Sequence, residues 1–342
     1  MNPRFILDDL LEITVVGSFS SIGPAVRRRL FRWQAPRPAS LRDRTVLVTG
    51  PTSGLGRAAA ATLAGLGARL ILVGRSPERL TALREELIAA NGEDRFPVVV
   101  ADLSSLADVS AAVATILASE SRLDVLLDNA GAIHRQRTET RDGIEATFAT
   151  MVVAPFALVS GLLPLLRITP GSRVINVTSG GMYAQRLRLD DLEWKGEPWD
   201  GTKAYARAKR AGVSLIREWA RRVPADDVRF VSMHPGWADT PGLRAALPGF
   251  ARVMNPILRT ASEAIDTAMW LATQPAEALA SGRLYHDRRT RPFDRVPATR
   301  VRPTERRRLW DAVVGLAGIS DPAPLGPTPI QLHPATTRRR TA

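Results

Sequence analysis

Six times between residues 45 and 273, a short apolar run gives way to a helical pattern. The runs fall at 45–49, 69–74, 96–101, 125–128, 173–177 and 229–233, with a seventh at 283–285. The helical patterns between them cover 55–66, 77–90, 106–119, 143–167, 203–222 and 262–273. Several runs are unbroken stretches of β-branched or apolar residues, as expected of strands covered by helices on both faces. Strict strand–helix alternation admits few architectures. A parallel sheet with right-handed crossovers is the simplest, which predicts an α/β doubly wound sheet in three αβα layers.

The first strand–helix junction reads TGPTSGLG, Thr49 to Gly56. Gly50 permits the tight turn, Gly54 lets backbone approach a diphosphate, and Gly56 allows close helix packing. Free N–H groups at the helix start would face the phosphates. The context, after VLV and before an Ala-rich helix, is the one a dinucleotide-binding (Rossmann) turn requires. The second strand ends Val73-Gly74-Arg75. A site selective for NAD tends to carry an acidic residue there, on the ribose 2′-hydroxyl. Glycine stands in that place, and Arg75 can pair with a 2′-phosphate. NADP(H) is therefore expected over NAD(H).

After the fifth strand comes YARAK, Tyr205 to Lys209. The i, i+4 spacing puts both side chains on one helix face. With TGxxxGxG and YxxxK together, residues 41–290 resemble the short-chain dehydrogenase/reductase family in its single-domain form. Further segments carry the resemblance: DNAG at Asp128–Gly131, RVINVTS ending at Ser179, and HPGWADT at His234–Thr240. SGGM, WDGTKAYARAKR and SMHPGWADTPG narrow it to one vertebrate and bacterial subgroup. The resemblance implies Ser179, Tyr205 and Lys209 as catalytic residues. It implies cofactor contacts at Thr49, Gly50, Ser53, Gly54, Leu55, Gly56, Arg75, Asp102, Leu103, Asn129, Ala130, Gly131, Tyr205, Lys209, Pro235, Gly236 and Thr240. Hydride transfer to a carbonyl builds negative charge on oxygen; Tyr205 would protonate it and Ser179 would hydrogen-bond it. A tyrosine that works as a base near neutrality needs its pKa about three units below the ordinary value near 10, with Lys209 and an oxidised nicotinamide supplying positive charge. Two positions depart from the family pattern. Asp128 replaces the first Asn of NNAG. Met151, in FATMVVAPF, stands where the family places an Asn whose backbone holds a relay water.

The chain has 342 residues and a formal charge of +13. Its basic residues are almost all Arg, with Lys only at 195, 203 and 209. The runs Arg27–Arg29, Arg306–Arg308 and Arg338–Arg340 lie near the ends, and no nucleic-acid module accompanies them. Absence of Cys excludes thiolate nucleophiles and Cys-based metal sites. His134, His234, His286 and His333 show no metal-ligand spacing, so no metal is expected.

Three zones follow: an N-terminal helical, amphipathic extension at 1–44, the α/β domain at 45–290, and a C-terminal helix with a tail at 291–342, disordered from about Pro322. Residues 13–26 carry no charge but are too short to span a bilayer, which needs roughly 20. They read as a helix packed on the domain, or as an interfacial anchor with Phe5, Leu10, Phe19, Phe31 and Trp33 among lipid headgroups. The expected setting is the cytoplasm, with membrane-surface contact through residues 1–33 as the second reading; a homo-oligomer stays open. Met182, Tyr183, Leu187, Trp194 and Trp199, with Leu243, Leu247, Phe250 and Met254, either line an apolar pocket for a lipophilic carbonyl or alcohol or are packing residues. Beside the oxidoreductase stands a cofactor-binding sensor or interaction protein with little turnover.

Overall fold

The apolar runs become strands because their alternate residues bury against two different helical layers. In a computed structural model, which describes residues 3–325, the strands are β1 (Thr45–Thr49), β2 (Arg69–Gly74), β3 (Val98–Val100), β4 (Val125–Asp128), β5 (Arg173–Val177), β6 (Arg229–Met233), β7 (Arg283–His286) and β8 (Arg289–Arg291). They form one sheet in the order β3-β2-β1-β4-β5-β6-β7-β8. Neighbours from β3 to β7 are parallel, and β8 is antiparallel to β7. The expected doubly wound fold is present, with the order reversing between β1 and β4. That reversal opens a crevice at the carboxyl edge.

Leu47, Leu126, Val174 and Phe230 face one layer, with helices Leu106–Ser119, Ala154–Ile168 and Gly201–Arg222. Val46, Val48, Leu127 and Ile175 face the other, with helices Gly54–Gly65, Pro77–Asn91 and Ala261–Thr273. The C-terminal helix Pro303–Ala317 inserts Trp310 between Phe156 and Trp219, at ring separations of 4.8 and 4.6 Å. The tail beyond residue 325, including Arg338–Arg340, lies outside the described residues.

Two local departures bear on the site. The helix expected over 143–167 starts later, at Ala146, where Glu145 accepts from the N–H groups of Thr147 and Phe148 at 2.7 and 2.8 Å. It then widens into a π-helical turn over Ala149–Val153 before continuing as Ala154–Ile168. Ala146–Ile168 is long and apolar enough for a membrane span, yet most of it is core. The second departure is β8, which has no apolar signature. It hangs on a two-residue turn with Asp287 and Arg288 at φ 51° and 60°, a conformation that usually takes Asn or Gly.

The N-terminal residues form three short helices, Pro3–Ile13, Val15–Phe19 and Ile22–Leu30. They dock through a buried ionic cluster. Arg27 reaches Asp8 at 2.6 Å, Glu12 at 2.6 Å and Asp287 at 2.5 Å. Asp287 also takes Arg259 at 2.7 Å, and Asp8 takes Arg291 at 2.9 Å. The Asp287 turn is thus held by two guanidinium groups, which offset its strained backbone.

Candidate active site

The expected site residues gather along the carboxyl edge of β1, β2, β3, β4, β5 and β6, with Tyr205 and Lys209 on the helix after β5. Gly50 has φ +65°, and a methyl there would meet Ala130 Cα at 3.2 Å. At Gly56 a methyl would meet the Gly50 carbonyl oxygen at 2.0 Å, so the helix start closes directly onto its own turn. Thr49 Oγ1 accepts from the N–H groups of Asn129 and Ala130, both at 3.0 Å. Asn129 Nδ2 returns a bond to the Thr49 carbonyl at 3.0 Å. The first turn and the DNAG segment are therefore one unit. Thr240 stands over the turn, its Cγ2 3.7 Å from where a Gly54 side chain would begin.

The turn fits an anionic cofactor for a local reason. Helices starting at Pro77, Leu106, Gly201 and Ala261 have N–H groups bonded by the side chains of Ser76, Ser105, Asp200 and Thr260. Ser53, at the same position before Gly54–Gly65, makes no such bond. The N–H groups at that helix start are thus left without a capping side chain, as a phosphate site requires. Asp102 spends one carboxylate oxygen on the Ser104 N–H at 2.9 Å, and Leu103 is buried beside it. Arg75 is exposed just past β2. A residue that the sequence did not single out, Arg79, lies one turn further on and donates to the Thr52 carbonyl at 3.2 Å.

Helix Gly201–Arg222 carries Tyr205 and Lys209 on its inward face, started by Asp200 accepting from Thr202 and Lys203 N–H groups at 3.0 Å. The Ser179 side chain hydrogen-bonds the Tyr205 phenol. Lys209 Nζ lies 5.7 Å from the Tyr205 ring centre and donates to the Val177 carbonyl at 2.8 Å. Burial pushes the Tyr205 phenol up to about 12, against a smaller opposing pull from Ser179. The downward shift that basic chemistry demands is therefore absent from the protein alone. Burial also lowers Lys209, and Asp128 partly restores it. Asp128, in the place of the family's Asn, accepts from Asn176 Nδ2 at 2.7 Å, and burial raises its carboxyl. Met151 falls inside the π-helical turn and is buried. A methyl on Gly131 would meet its Sδ and Cε at 3.4 Å and Lys209 Nζ at 3.6 Å, so a thioether stands beside the lysine.

The residues considered for the substrate side divide. Met182 and Tyr183 are buried in a cluster with Phe19, Val213, Leu284 and Phe293, and Trp194 is buried under Arg207. These are packing. Leu243, Leu247, Phe250 and Met254 are only partly buried, on helices Pro241–Ala246 and Pro248–Met254 and, for Leu247, at the junction between them. They remain available to border an opening.

Sheet order, glycine turn and the Ser179–Tyr205–Lys209 grouping define a nucleotide-dependent oxidoreductase. The profile of the short chain dehydrogenase family matches residues 44–248. The chain is 40% identical over 247 residues to human "Dehydrogenase/reductase SDR family member 12", covering 72% of this chain and 77% of that one. It is 32% identical over 325 residues to mouse "Retinol dehydrogenase 14", covering 88% and 96%. A crystal structure from Mycobacterium paratuberculosis superposes with a TM-score of 0.66 at 26% identity, covering 85% of this chain and all of that one. The chain belongs to the short-chain dehydrogenase/reductase family, and it is an oxidoreductase acting between carbonyl and alcohol.

Proposed function

We propose that this chain reduces the carbonyl of a lipophilic small molecule with NADPH, or runs the reverse, through Ser179, Tyr205 and Lys209. The observation that carries the reading is the grouping of these three side chains beside the uncapped helix start. When bound, the cofactor supplies the hydride. The Tyr205 phenol, protonated at neutral pH because burial holds it near 12, gives its proton to the oxygen that gains charge. The Ser179 hydroxyl hydrogen-bonds that oxygen. Lys209 contributes a nearby positive charge and would hold the ribose hydroxyls of a bound cofactor. Lipophilic specificity is supported by the partly buried apolar side chains at 243–254, and by a retinol dehydrogenase among the relatives.

Cofactor choice follows from Gly74 and Arg75, with Arg79 beside the glycine turn. NADPH should bind at least about tenfold more tightly than NADH, since a paired phosphate contributes ~1.4 kcal/mol or more. Fluorescence titration checks this, and equal affinities would remove Arg75 from the site.

A second reading, contact with a membrane surface, rests on an inverted helix. Pro3–Ile13 buries two of its three acids, Asp8 and Glu12, and leaves Asp9 exposed together with Leu10 (57%) and Ile13 (76%). Val15, Val16 and Ile22 continue the exposed apolar face, and exposed Arg28, Arg29 and Arg32 follow on the same segment. Apolar side chains next to guanidinium groups suit an anionic lipid interface. Phe19, expected on the lipid side, instead points into the protein. The full chain should float with phosphatidylserine vesicles, and Leu10→Glu/Ile13→Glu should not. Equal flotation of both would place the contact elsewhere.

A further inference from the structure

Phe19 is 4% exposed, and it touches both loops that the proposed site depends on. A methyl on Gly180, the residue after Ser179, would meet Phe19 Cε2 at 2.5 Å. The ring therefore lies flush against the backbone that carries the serine. A methyl on Gly236, at φ +75°, would meet the Phe19 carbonyl oxygen at 2.5 Å and Arg259 Nε at the same distance. Both glycines are places where the N-terminal segment leaves no room for a side chain. The Phe19 carbonyl accepts from the Trp237 N–H at 2.7 Å and from Arg259 Nε at 3.0 Å.

The contact extends to the substrate side. The Phe19 ring meets Trp237 edge-on at 5.9 Å, and Trp237 meets Phe250 edge-on at 5.2 Å. The Ser21 N–H donates to the Ile257 carbonyl at 2.9 Å. Behind Phe19, His234 and His286 stack at 3.8 Å, and Phe19 packs edge-on to both, at 4.6 and 5.5 Å. His234 Nδ1 accepts from the Gly236 N–H at 3.2 Å. Residues 3–30 are anchored below this wedge by Arg27 and Arg259, which share Asp287. An aromatic wedge on a fixed ionic base is suited to hold two loops at one separation.

We infer that the N-terminal segment is part of the catalytic apparatus, and that Phe19 is a positioning residue which fixes the Ser179–Ala184 turn and the Pro235–Trp237 loop relative to each other. This rests on the assignment of Ser179 to the substrate oxygen and of Gly236 to the cofactor side. Phe19 itself touches neither. It acts through Gly180, His234 and Trp237.

Hydrogen exchange on the full chain tests it, with Phe19→Ala and the apolar variant Phe19→Leu. The reporters are the N–H groups of Gly181 and Met182, which bond Ser179, and those of Gly236 and Trp237. Peptides over β4 serve as reference. In Phe19→Ala both loop peptides should exchange about tenfold or more faster while β4 keeps its protection, and Phe19→Leu should recover most of the difference. In NADPH-dependent reduction of decanal, kcat should fall about tenfold in the Ala variant, with any rise in KM for NADPH smaller than that fall. Unchanged loop exchange, or equal acceleration of β4, overturns the inference, because Phe19 would then be idle or merely stabilising. A rise in KM for NADPH with kcat intact also overturns it. The exchange result is independent of the chemistry. Should Tyr205→Phe keep full turnover, the catalytic assignment fails while the wedge is still read from the loops.

Discussion

Replacing Tyr205 with Phe should lower kcat by a factor on the order of 10² to 10⁴, the range that a lost general acid removes, and should leave NADPH affinity close to that of the native chain. The phenol oxygen, which faces Ser179, is the only heavy atom lost. Lys209→Ala should differ in kind. It empties a buried position beside Asp128, whose carboxyl loses its nearest cation, and it should damage both turnover and cofactor binding. The rate of carbonyl reduction should stay flat from about pH 6 to 9, because a phenol held near 12 keeps its proton throughout that range. Stopped-flow absorbance of NADPH oxidation separates binding from chemistry in each variant. Native turnover in the Phe variant would remove Tyr205 from the reaction.

The largest effect on stability is expected at Arg27. Its guanidinium is wholly buried and reaches Asp8, Glu12 and Asp287. Arg27→Met keeps much of the volume and removes the charge. Breaking a buried ionic group by deleting one partner usually costs about 3–5 kcal/mol, because the remaining charges stay desolvated. Arg291, Arg289 and Arg259 still face Asp8 and Asp287, which places the expected loss near 3 kcal/mol. Arg27→Lys should recover little, since one ammonium cannot match a planar fork bonded to three carboxylates. Chemical denaturation of the variants measures this. A loss below about 1 kcal/mol would mean that the N-terminal helices contribute little to holding the domain together.

How much of this was legible beforehand varies with the kind of signal. β1, β2, β4, β5 and β6 fall on the expected residues because continuous apolar runs are a local property. β8 was not legible. Its turn, Asp287-Arg288, puts Arg where a tight hairpin prefers Gly, and it is held by Arg259 and by Arg27, the latter about 260 positions away in sequence. The N-terminal helices show the same limit in another form. The uncharged stretch before Arg27 reads as packed helix or lipid anchor, and each alternative describes part of it: Phe19 is core, whereas Val15 and Val16 are exposed. Period and composition do not reveal that a helix buries Asp8 and Glu12, because the guanidinium groups that make this tolerable come from residues 27, 289, 291 and 295. In the site, the glycine turn and YxxxK carried their geometry in their spacing. The Tyr205 environment did not follow from the motif. Burial raises the phenol in the protein alone, and the lowering that basic chemistry needs is expected from Lys209 together with an oxidised nicotinamide.

The central claim is hydride transfer from NADPH to a carbonyl with Tyr205 as the proton source. The most direct test supplies NADPH dideuterated at nicotinamide C4 together with lipophilic carbonyls from decanal to all-trans-retinal, followed by mass spectrometry of the alcohols. At least one alcohol should carry a single deuterium on the former carbonyl carbon, formed by the native chain and not by Tyr205→Phe. A chain that binds NADPH yet yields no labelled alcohol from any of these carbonyls would contradict it and would leave a cofactor-binding sensor as the better description.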